Sequence, residues 1–470
     1  MAEASKDRVA DSGGRVVRLE EARTAVMEVV SKWFTSLEPL LTGGPAPLRD
    51  LSAKLSERRA ALLGPLFQLI LEQVVAEYRD LRRTHCPQCG GVIFRKRKES
   101  KAVTTLHGNF VLDRPYFYCA ECHYGFSPLD EALELAEETL QFDTQELLTR
   151  FTARMAYSEA VELVELSTGV KVSEHAAHAT VGRVSEATDI SVVIPAAQEI
   201  ARRIAEARAT EPEREPVVVV SIDGAMAPLR PAGGRKSPRG KGFWKEAKGF
   251  RIFLQCGPGR VVTLASWHQI TDVNGLSAAL ELAASRIPRA GIRFALVADG
   301  ADWIWDLLRK YFPEGREILD YYHAKEHVYG CARAHYGDGV PAREWASVTM
   351  ARLSHGYLCE VLGGLRRMIP SSSEAKEEIR KLLGYLEHRR DQFNYNECQQ
   401  QGLPIGSGAM ESHHRTIVHR RLKLPGAWWL ELKGNGMLRL RCSIANGTFD
   451  DVIRRYIDLK KPRNDPKPKE

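Results

Sequence analysis

The sequence lacks any apolar run of the ~20 residues that a membrane-spanning helix needs, and residues 1–15 are polar, without a hydrophobic signal core. Its nine cysteines are an odd number in a long chain, which argues against a disulfide framework. It also lacks an internal repeat of fixed period. These absences argue against an integral membrane protein and a disulfide-rich secreted protein, and they predict a cytoplasmic one.

The chain has no strong excess of one charge either, because its formal net charge is only +7 over 470 residues. This length predicts about two to four structural units, and a hydrophobic content of 44% is ordinary for globular proteins. The cations are nevertheless clustered: Arg235, Lys236, Arg239, Lys241, Lys245 and Lys248 in one stretch, and Arg415, Arg420, Arg421 and Lys423 in another. Such clusters indicate a polyanionic partner such as double-stranded DNA, since cations that neutralise phosphates supply most non-specific affinity for nucleic acid.

Four of the cysteines form two C-x2-C pairs, Cys86 with Cys89 and Cys119 with Cys122. Four thiolates at about 2.3 Å suit a tetrahedral zinc ion, and a site with no open position would be structural. Segments 103–106 and 110–118 have the pattern of short strands, as a zinc ribbon requires. A redox pair, a chance spacing and an iron–sulfur cluster remain alternatives.

The N-terminal half is otherwise helical in pattern. Segments 15–41 and 47–84 have helical spacing of apolar residues, and Gly64-Pro65 is expected to kink or split the second. Segments 129–138 and 144–166 are also predicted helices. The glycine turn at Gly169 and the cap at Ser173, before a helix at 175–187, fit a DNA-reading helix-turn-helix, although packed helix pairs of this kind are common without DNA.

The pattern changes after a linker at 209–216. Strands are predicted at 217–222, 250–255 and 260–267, followed by a helix at 278–286 and a strand at 292–298. Helices at 303–311 and 322–334 then flank a short strand at 317–319. Three strands followed by alternating helices and strands indicate an α/β protein with a ribonuclease-H-like core.

The predicted organisation has seven parts: an N-terminal helical region (1–84), a zinc ribbon (85–130), a helical region with the possible helix-turn-helix (131–210), the first part of the core (216–340), an all-helical insertion (341–401), the second part of the core (402–458) and a disordered basic tail (459–470). In a ribonuclease-H-like core the first and fourth strands are neighbours. Asp223 and Asp299, at the ends of two such apolar runs, are therefore expected to meet.

Three carboxylates in this order suggest phosphodiester chemistry. Asp223 and Asp299 are each followed by glycine, and Glu411 begins a helix after the glycine-rich bend 402–408. Two divalent cations held by carboxylates activate an oxygen nucleophile and stabilise a leaving oxygen. A single aspartate at a strand end is more often a turn or cap residue, but three in this arrangement favour a site for two Mg²⁺ or Mn²⁺ ions.

These segments resemble the DDE transposases of bacterial insertion sequences, most closely the ISKra type, over roughly residues 217–446. The similar motifs are Ser221-Ile222-Asp223-Gly224, Val297-Ala298-Asp299-Gly300-Ala301, Asp320-Tyr321-Tyr322-His323 and Gly402-Leu403-Pro404-Ile405-Gly406-Ser407-Gly408 with Glu411-Ser412. The resemblance implies that Asp223, Asp299 and Glu411 are the catalytic triad. It also implies cleavage at element ends and joining of the freed 3′-hydroxyls to target DNA, in a bacterial, nucleoid-associated protein.

Further roles are suggested less specifically. His323 resembles a histidine thought to assist near the scissile phosphate in Mutator-like relatives, but a core histidine or a zinc pair with His327 is also open. Trp428 and Trp429 are either base-stacking residues or core anchors. The residues predicted to contact DNA are Lys245, Arg420, Arg421, Lys423 and Trp428.

Two other functions remain open at this point: a non-transposing metal-dependent nuclease with the same core, and a zinc-ribbon DNA-binding regulator without catalysis. The transposase interpretation requires two element ends to be held together, so it predicts a homodimer or higher oligomer on DNA and no membrane partner.

Overall fold

A computed structural model of the chain describes residues 12–211, 213, 215–231, 242–256 and 260–462, with side chains from residue 20 onward except that of residue 60. The described part divides into two compact units, one formed by residues up to 181 and from 456 onward, the other by residues 182–455. The predicted cations Arg235, Lys236, Arg239 and Lys241, and residues 463–470 of the predicted tail, lie outside the described residues. No described helix is both long and apolar enough to cross a membrane.

The first unit contains a small antiparallel sheet, with helices before and after it in the chain. Its helices are α1 (Ser12–Thr35), α2 (Glu38–Thr42), α3 (Leu48–Val74), α4 (Ala76–Arg79), α5 (Pro128–Ala132), α6 (Phe142–Thr152), α7 (Tyr157–Thr168) and α8 (Glu174–Glu186), the last of which continues into the second unit. Its strands are β1 (Arg83–His85), β2 (Val92–Thr105), β3 (Gly108–Tyr118) and β4 (Gly125–Phe126), paired in that order.

Three predictions of local structure in this unit need correction. The helix α3 runs through Pro65 as one element and is not split. The helix predicted at 129–138 ends at Ala132, because Glu134 takes a left-handed conformation and the Leu135 N–H reaches back to the Asp130 carbonyl at 2.8 Å. The helix predicted at 144–166 is two helices, α6 and α7, since the Glu159 carboxylate accepts from the Ala156 N–H at 3.3 Å and starts a new helix there.

The predicted helix–turn–helix segment is confirmed as local structure. Gly169 ends α7 at φ 79°, and the Ser173 hydroxyl accepts from the Ala176 N–H at 3.1 Å at the start of α8. Whether this pair reads DNA stays a prediction.

The second unit is built on a five-stranded mixed sheet. Its strands are β5 (Val217–Leu229), β6 (Phe243–Gln255), β7 (Val261–Ile270), β8 (Arg293–Ala298) and β9 (Arg316–Leu319), in the order β7-β6-β5-β8-β9. The first three are antiparallel, whereas β5 pairs in parallel with β8 and β8 with β9. The protein is thus of mixed α/β class, and this sheet is compatible with a ribonuclease-H-like core.

The helices of the second unit lie before, between and after its strands in the chain. They are α9 (Ile190–Val193), α10 (Ala197–Thr210), α11 (Val273–Arg286), α12 (Asp302–Tyr311), α13 (Tyr321–Tyr336), α14 (Val340–Ser354), α15 (Leu358–Arg367), α16 (Ser373–His388), α17 (Tyr395–Gln400), α18 (Gly408–His414), α19 (Arg420–Leu422), α20 (Glu431–Asn446) and α21 (Phe449–Lys460), which continues into the first unit. A 3₁₀ turn spans Arg390–Gln392, and a π-helical turn, Arg415–His419, joins α18 to α19. Segment 341–401 is helical, as predicted.

The strands β5 and β6 are longer than their sequence pattern predicts. The predicted strands cover 217–222 and 250–255, but pairing continues as far as Leu229 with Phe243. Asp223 therefore does not end its strand; it lies within β5, opposite Gly249 of β6. The extension occurs because the paired backbone of the hairpin satisfies its hydrogen bonds beyond the apolar run.

Candidate active site and metal centre

The four predicted cysteines lie together at one end of the small sheet. Their sulfur atoms are all within 4.8 Å of one another, with 3.3 Å between Cys86 and Cys122 and 3.5 Å between Cys89 and Cys119. Sulfur atoms around a tetrahedral zinc ion are about 3.8 Å apart, given bonds of about 2.3 Å. The donor set and its spacing therefore fit a structural Zn²⁺.

Tight turns bring each pair of thiols together. The Cys86 N–H donates to the Gly91 carbonyl and the Cys119 N–H to the Tyr124 carbonyl, each at 2.8 Å, and Gly90 and His123 take positive φ angles of 74° and 56°. The Cys122 N–H donates toward the Cys119 sulfur, which lowers the pKa of that thiol to about 7. Burial and the thiols of Cys86 and Cys119 raise the pKa of Cys122, so a bound metal ion would be what draws the proton from that thiol.

Asp223 and Asp299 occupy equivalent positions relative to the neighbouring parallel strands β5 and β8. The last paired residues of β5 and β8 are Val220 and Leu296, and each aspartate lies three residues beyond one of them. The Gly224 N–H donates to Asp223 Oδ1 at 2.6 Å, and the Ala301 N–H donates to Asp299 Oδ1 at 3.0 Å. The structure thus brings these two carboxylates near each other, at the place where β5 and β8 separate.

The environment of Asp223 disfavours its charged form. Burial raises the pKa of this carboxyl to about 6, and the negative charges of Asp299 and Glu246 contribute, against the lowering effects of the Gly224 N–H and His323. A cation placed between Asp223 and Asp299 would relieve this repulsion. Raised carboxyl pKa values are also common at functional sites.

Glu411 projects from the first turn of α18, and its side chain is exposed. The Arg251 guanidinium of β6 donates to the Ala409 carbonyl at 2.6 Å, which attaches this helix to the sheet. Among the described residues, the four cysteines are the only group of three or more possible ligands within 4.8 Å of one another, so the three carboxylates do not form so tight a group. When two ions lie about 4 Å apart, the oxygen ligands on their outer sides are up to about 8 Å apart. A two-ion site therefore does not need its three carboxylates to lie as close together as the four cysteines do.

Asp320 connects the segments that carry His323 and Glu411. Its side chain is only 3% exposed and accepts from the His323 N–H at 2.7 Å and, through its other oxygen, from the Ser407 N–H. The next residue, Tyr321, donates its N–H to the Ile405 carbonyl at 2.9 Å. One buried carboxylate therefore holds the start of α13 against the glycine-rich bend before α18. Asp320 lies in one of the motifs of the resemblance, but its sequence context predicts no role for it.

The helical insertion contributes residues that the sequence analysis misses. Arg389, 4% exposed, donates to the Gly300 carbonyl at 2.6 Å and to the Asp302 carboxylate, so it fixes the loop that follows Asp299. A Cβ atom at position 300 would lie 2.6 Å from the Tyr385 ring, which is too close for a side chain. This close approach explains why the residue after Asp299 is glycine. Burial raises the pKa of Tyr385, with a contribution from Asp299. In the sequence, the glycine at position 300 is the one sign that another part of the chain packs against the loop after Asp299.

His323 and His327 lie one helical turn apart on α13, with ring centroids 5.3 Å apart. The His323 charge lowers the pKa of Asp223, so this imidazole faces the carboxylate pair. His327 packs against the Tyr385 ring at 4.3 Å, and burial lowers its pKa. His323 is thus within electrostatic range of Asp223, whereas His327 belongs to the packing of α13 against the insertion.

Three buried histidines form a layer behind Asp223 that the sequence analysis also misses. The His414 Nδ1 atom is 3.4 Å from Asp223 Oδ2, and the His268 ring is 5.2 Å and 5.1 Å from the rings of His413 and His414. Burial lowers the pKa of His413 to about 3 and that of His414 to about 4, and it lowers the pKa of His268 as well. These imidazoles are therefore uncharged at neutral pH.

The predicted DNA-contacting residues differ in their surroundings. The Lys245 ammonium is 2.9 Å from the Glu431 carboxylate, and Arg421 is 3% exposed with its guanidinium over the Trp429 ring at 4.9 Å. Arg420 is exposed. Lys423 lies 5.7 Å from the Trp244 ring centroid, and the edge of Trp244 meets Trp428, which is 42% exposed. The Trp429 indole donates to the Leu422 carbonyl at 3.1 Å, so Trp429 anchors the fold and Trp428 remains open to a ligand.

No protein-family model matches this chain, and no curated protein matches its sequence. The fold and the arrangement of these residues are therefore the basis for any functional proposal.

Proposed function

We propose that this protein is a DDE-type DNA transposase. It binds the ends of its insertion sequence, cleaves DNA by two-metal-ion phosphodiester hydrolysis and joins 3′-hydroxyl ends to target DNA. The observation that carries the proposal is that Asp223 and Asp299 each lie three residues beyond the last pair of the parallel strands β5 and β8, in a sheet compatible with a ribonuclease-H-like core. Glu411, on a helix attached to the same sheet through Arg251, supplies the third acid.

Each acidic side chain has a distinct task in this proposal. Asp223, Asp299 and Glu411 would together hold two Mg²⁺ or Mn²⁺ ions, with Asp223, the acid at the site whose pKa is raised by burial, contributing to both. The bound ions supply activation of the attacking oxygen and stabilisation of the leaving oxygen. Partial burial of Asp223 supports this assignment, because an ion would compensate a carboxylate that is otherwise costly to ionise.

Other residues orient the reacting DNA. His323, beside the carboxylates, donates a hydrogen bond near the scissile phosphate. Lys245, Arg420, Lys423 and the exposed Trp428 contact DNA, whereas the burial of Arg421 favours a role in packing around Trp429. The four-cysteine cluster is the zinc site of a zinc ribbon, and the protein acts as a homodimer or higher oligomer on DNA.

The test is cleavage of a labelled duplex that carries the DNA bordering the protein's own gene, with Mg²⁺ or Mn²⁺. Wild type is compared with Asp223→Asn and Glu411→Gln, which keep the side-chain size. The matched control is Asp306→Asn, an exposed acid on α12. We expect metal-dependent nicks that expose 3′-hydroxyls, reduced at least about 100-fold in the two site variants and unchanged in the control.

Other outcomes separate the alternatives. Cleavage without joining of the ends to a second duplex indicates a non-transposing nuclease with the same core. Binding of the ends by wild type and variants without cleavage indicates a DNA-binding regulator. Equal cleavage by Asp223→Asn and wild type rejects the proposed site.

A further inference from the structure

A run of four cations, Arg95 to Lys98, lies on β2 of the small sheet, in the first unit rather than the unit that carries the carboxylates. A charge run is often only a solvated surface. Here an irregularity in the strand places two of these cations side by side on one face of the sheet.

A β-bulge places two adjacent cations on the same face of the sheet. Arg95 pairs with Phe117 and Arg97 with Tyr116, so Lys96 is an extra residue between them. Adjacent residues of a regular strand point to opposite faces, but a bulge changes the direction of a side chain. Arg95 lies opposite the buried Phe117 and is half-buried, whereas Lys96 and Arg97 are both exposed.

Aromatic rings of β3 support both of these cations. The Lys96 ammonium lies 4.4 Å from the Tyr118 ring centroid, and the Arg97 guanidinium lies 4.5 Å from that of Tyr116. Cation–π contacts and packing along the rings hold the charged groups in defined positions at the surface. The tyrosine rings are half-buried and covered by the cations, so they do not offer open faces for base stacking.

Part of this positive charge is not neutralised within the protein. Arg97 shares the Glu99 carboxylate with Arg114. Lys96, and the exposed Arg83 on the neighbouring strand β1, form no ion pair with a carboxylate in the part of the chain that the structure describes. Arg83 pairs with Phe94, which precedes the bulge on the same face. We call Arg83, Lys96, Arg97, Tyr116 and Tyr118 the basic tyrosine face.

We propose that the basic tyrosine face binds the phosphate backbone of duplex DNA, as a surface separate from the carboxylate site. Fixed cations match phosphate oxygens, and the exposed Phe94 ring on the same face offers an apolar contact that does not read bases, so this binding is independent of sequence. The inference rests on the proposed function for the identity of the polyanion as DNA.

The experiment measures the binding of a fluorescent duplex of arbitrary sequence by anisotropy at several salt concentrations, using the full-length zinc-loaded protein without added Mg²⁺. The double variant Lys96→Gln/Arg97→Gln removes two positive charges. The control Lys376→Gln/Arg390→Gln removes two exposed cations of the helical insertion. The variant Lys96→Arg/Arg97→Lys retains the charge.

We expect the first variant to bind DNA about 10-fold more weakly and to lower the slope of log affinity against log salt by about 2. The control and the charge-retaining variant should bind like wild type. Zinc content and thermal unfolding, unchanged in the first variant, establish that the sheet is intact.

Equal affinity and equal salt slope in wild type and the first variant overturn the inference and leave the proposed function standing. Failure of wild type to bind duplex DNA overturns both. Binding of polyglutamate, but not DNA, through the same residues means that the face receives an acidic protein. Because no Mg²⁺ is present, a catalytically inactive protein still gives a decisive result.

Discussion

The four-cysteine cluster and the carboxylate pair are assembled in different ways. The cysteines come from two short turns, and the hydrogen bonds that shape each turn lie within a few residues of the thiols. Asp223, Asp299 and Glu411 come from three distant segments, which are held by Arg251, Asp320 and Arg389 from other parts of the second unit. A site of the first kind depends on its metal, whereas a site of the second kind depends on its tertiary contacts.

This difference predicts how each site fails. Losing one thiolate removes the ion that holds the two turns together, so the first unit should lose structure. Losing one of the contacts around the carboxylates should leave the second unit folded but displace one of the proposed metal-binding acids, because the large sheet has its own buried core.

Replacement of a zinc ligand should have the largest effect. We expect Cys119→Ser to abolish zinc binding and to expose residues 83–126 to proteases, because structural zinc contributes about 10–16 kcal/mol in zinc-finger peptides. Zinc content by mass spectrometry and limited proteolysis measure this effect. The control is Cys359→Ser, which changes an exposed cysteine outside the cluster and should leave both unchanged. Full zinc content in Cys119→Ser would contradict the structural assignment.

Asp320→Asn tests the second kind of assembly. Asparagine keeps the size of the side chain but has one acceptor oxygen, so it cannot accept from both the His323 and Ser407 N–H groups. We expect a loss of about 1.5–3 kcal/mol in the free energy of unfolding and a fall in cleavage of about 10-fold or more, with zinc content unchanged. Denaturant unfolding and the cleavage assay measure the two effects. Cleavage equal to that of wild type would show that Asp320 does not position Glu411.

Acid should destabilise the second unit through its buried histidines. The pKa of His413 is lowered from 6.5 to about 3 in the folded protein, so the unfolded state binds more protons between these values and stability falls as the pH falls through this window. At pH 5 the expected loss from His413 is about 2 kcal/mol relative to neutral pH. His413→Leu cannot titrate and should have a shallower dependence in denaturant unfolding between pH 7 and 5. If the free energy of unfolding depends on pH equally in wild type and His413→Leu, His413 is exposed to solvent in the folded protein.

Loss of an exposed ion pair should have the smallest effect on folding. Lys245 and Glu431 are each 46% exposed, so Lys245→Ala should change the free energy of unfolding by less than about 1 kcal/mol. If Lys245 also contacts DNA, the same change should weaken DNA binding and lower its salt dependence. The control is Glu431→Gln, which frees Lys245 and should not weaken binding. Unchanged affinity in Lys245→Ala would remove Lys245 from the DNA-contacting residues.

Local patterns account for the elements that sequence predicts well. The apolar run before Asp223 and the repeated C-x2-C spacing predict the strand β5 and the thiol cluster, because strand burial and metal-ligand turns depend on residues a few positions apart. The same rules fail where distant groups intervene. The strand β5 continues past Asp223 because β6 pairs with it, and the helix predicted at 129–138 stops because its chain folds back at Glu134.

The residues around the carboxylates show the same limit. Asp320 has the local features of an ordinary helix cap, Arg389 those of a surface arginine, and His268 those of one histidine in a strand. Nothing near these residues in the sequence indicates that they meet Ser407, Gly300 or His414.

By itself, the sequence determined the kinds of secondary structure, the metal-binding character of the four cysteines and the candidate acids, since these follow from short-range spacing and residue chemistry. Only the tertiary structure decided which groups surround the acids, how far Asp223 is desolvated and which cations remain at the surface. Burial and electrostatic fields are sums over neighbours in space, and most of those neighbours are far apart in the chain.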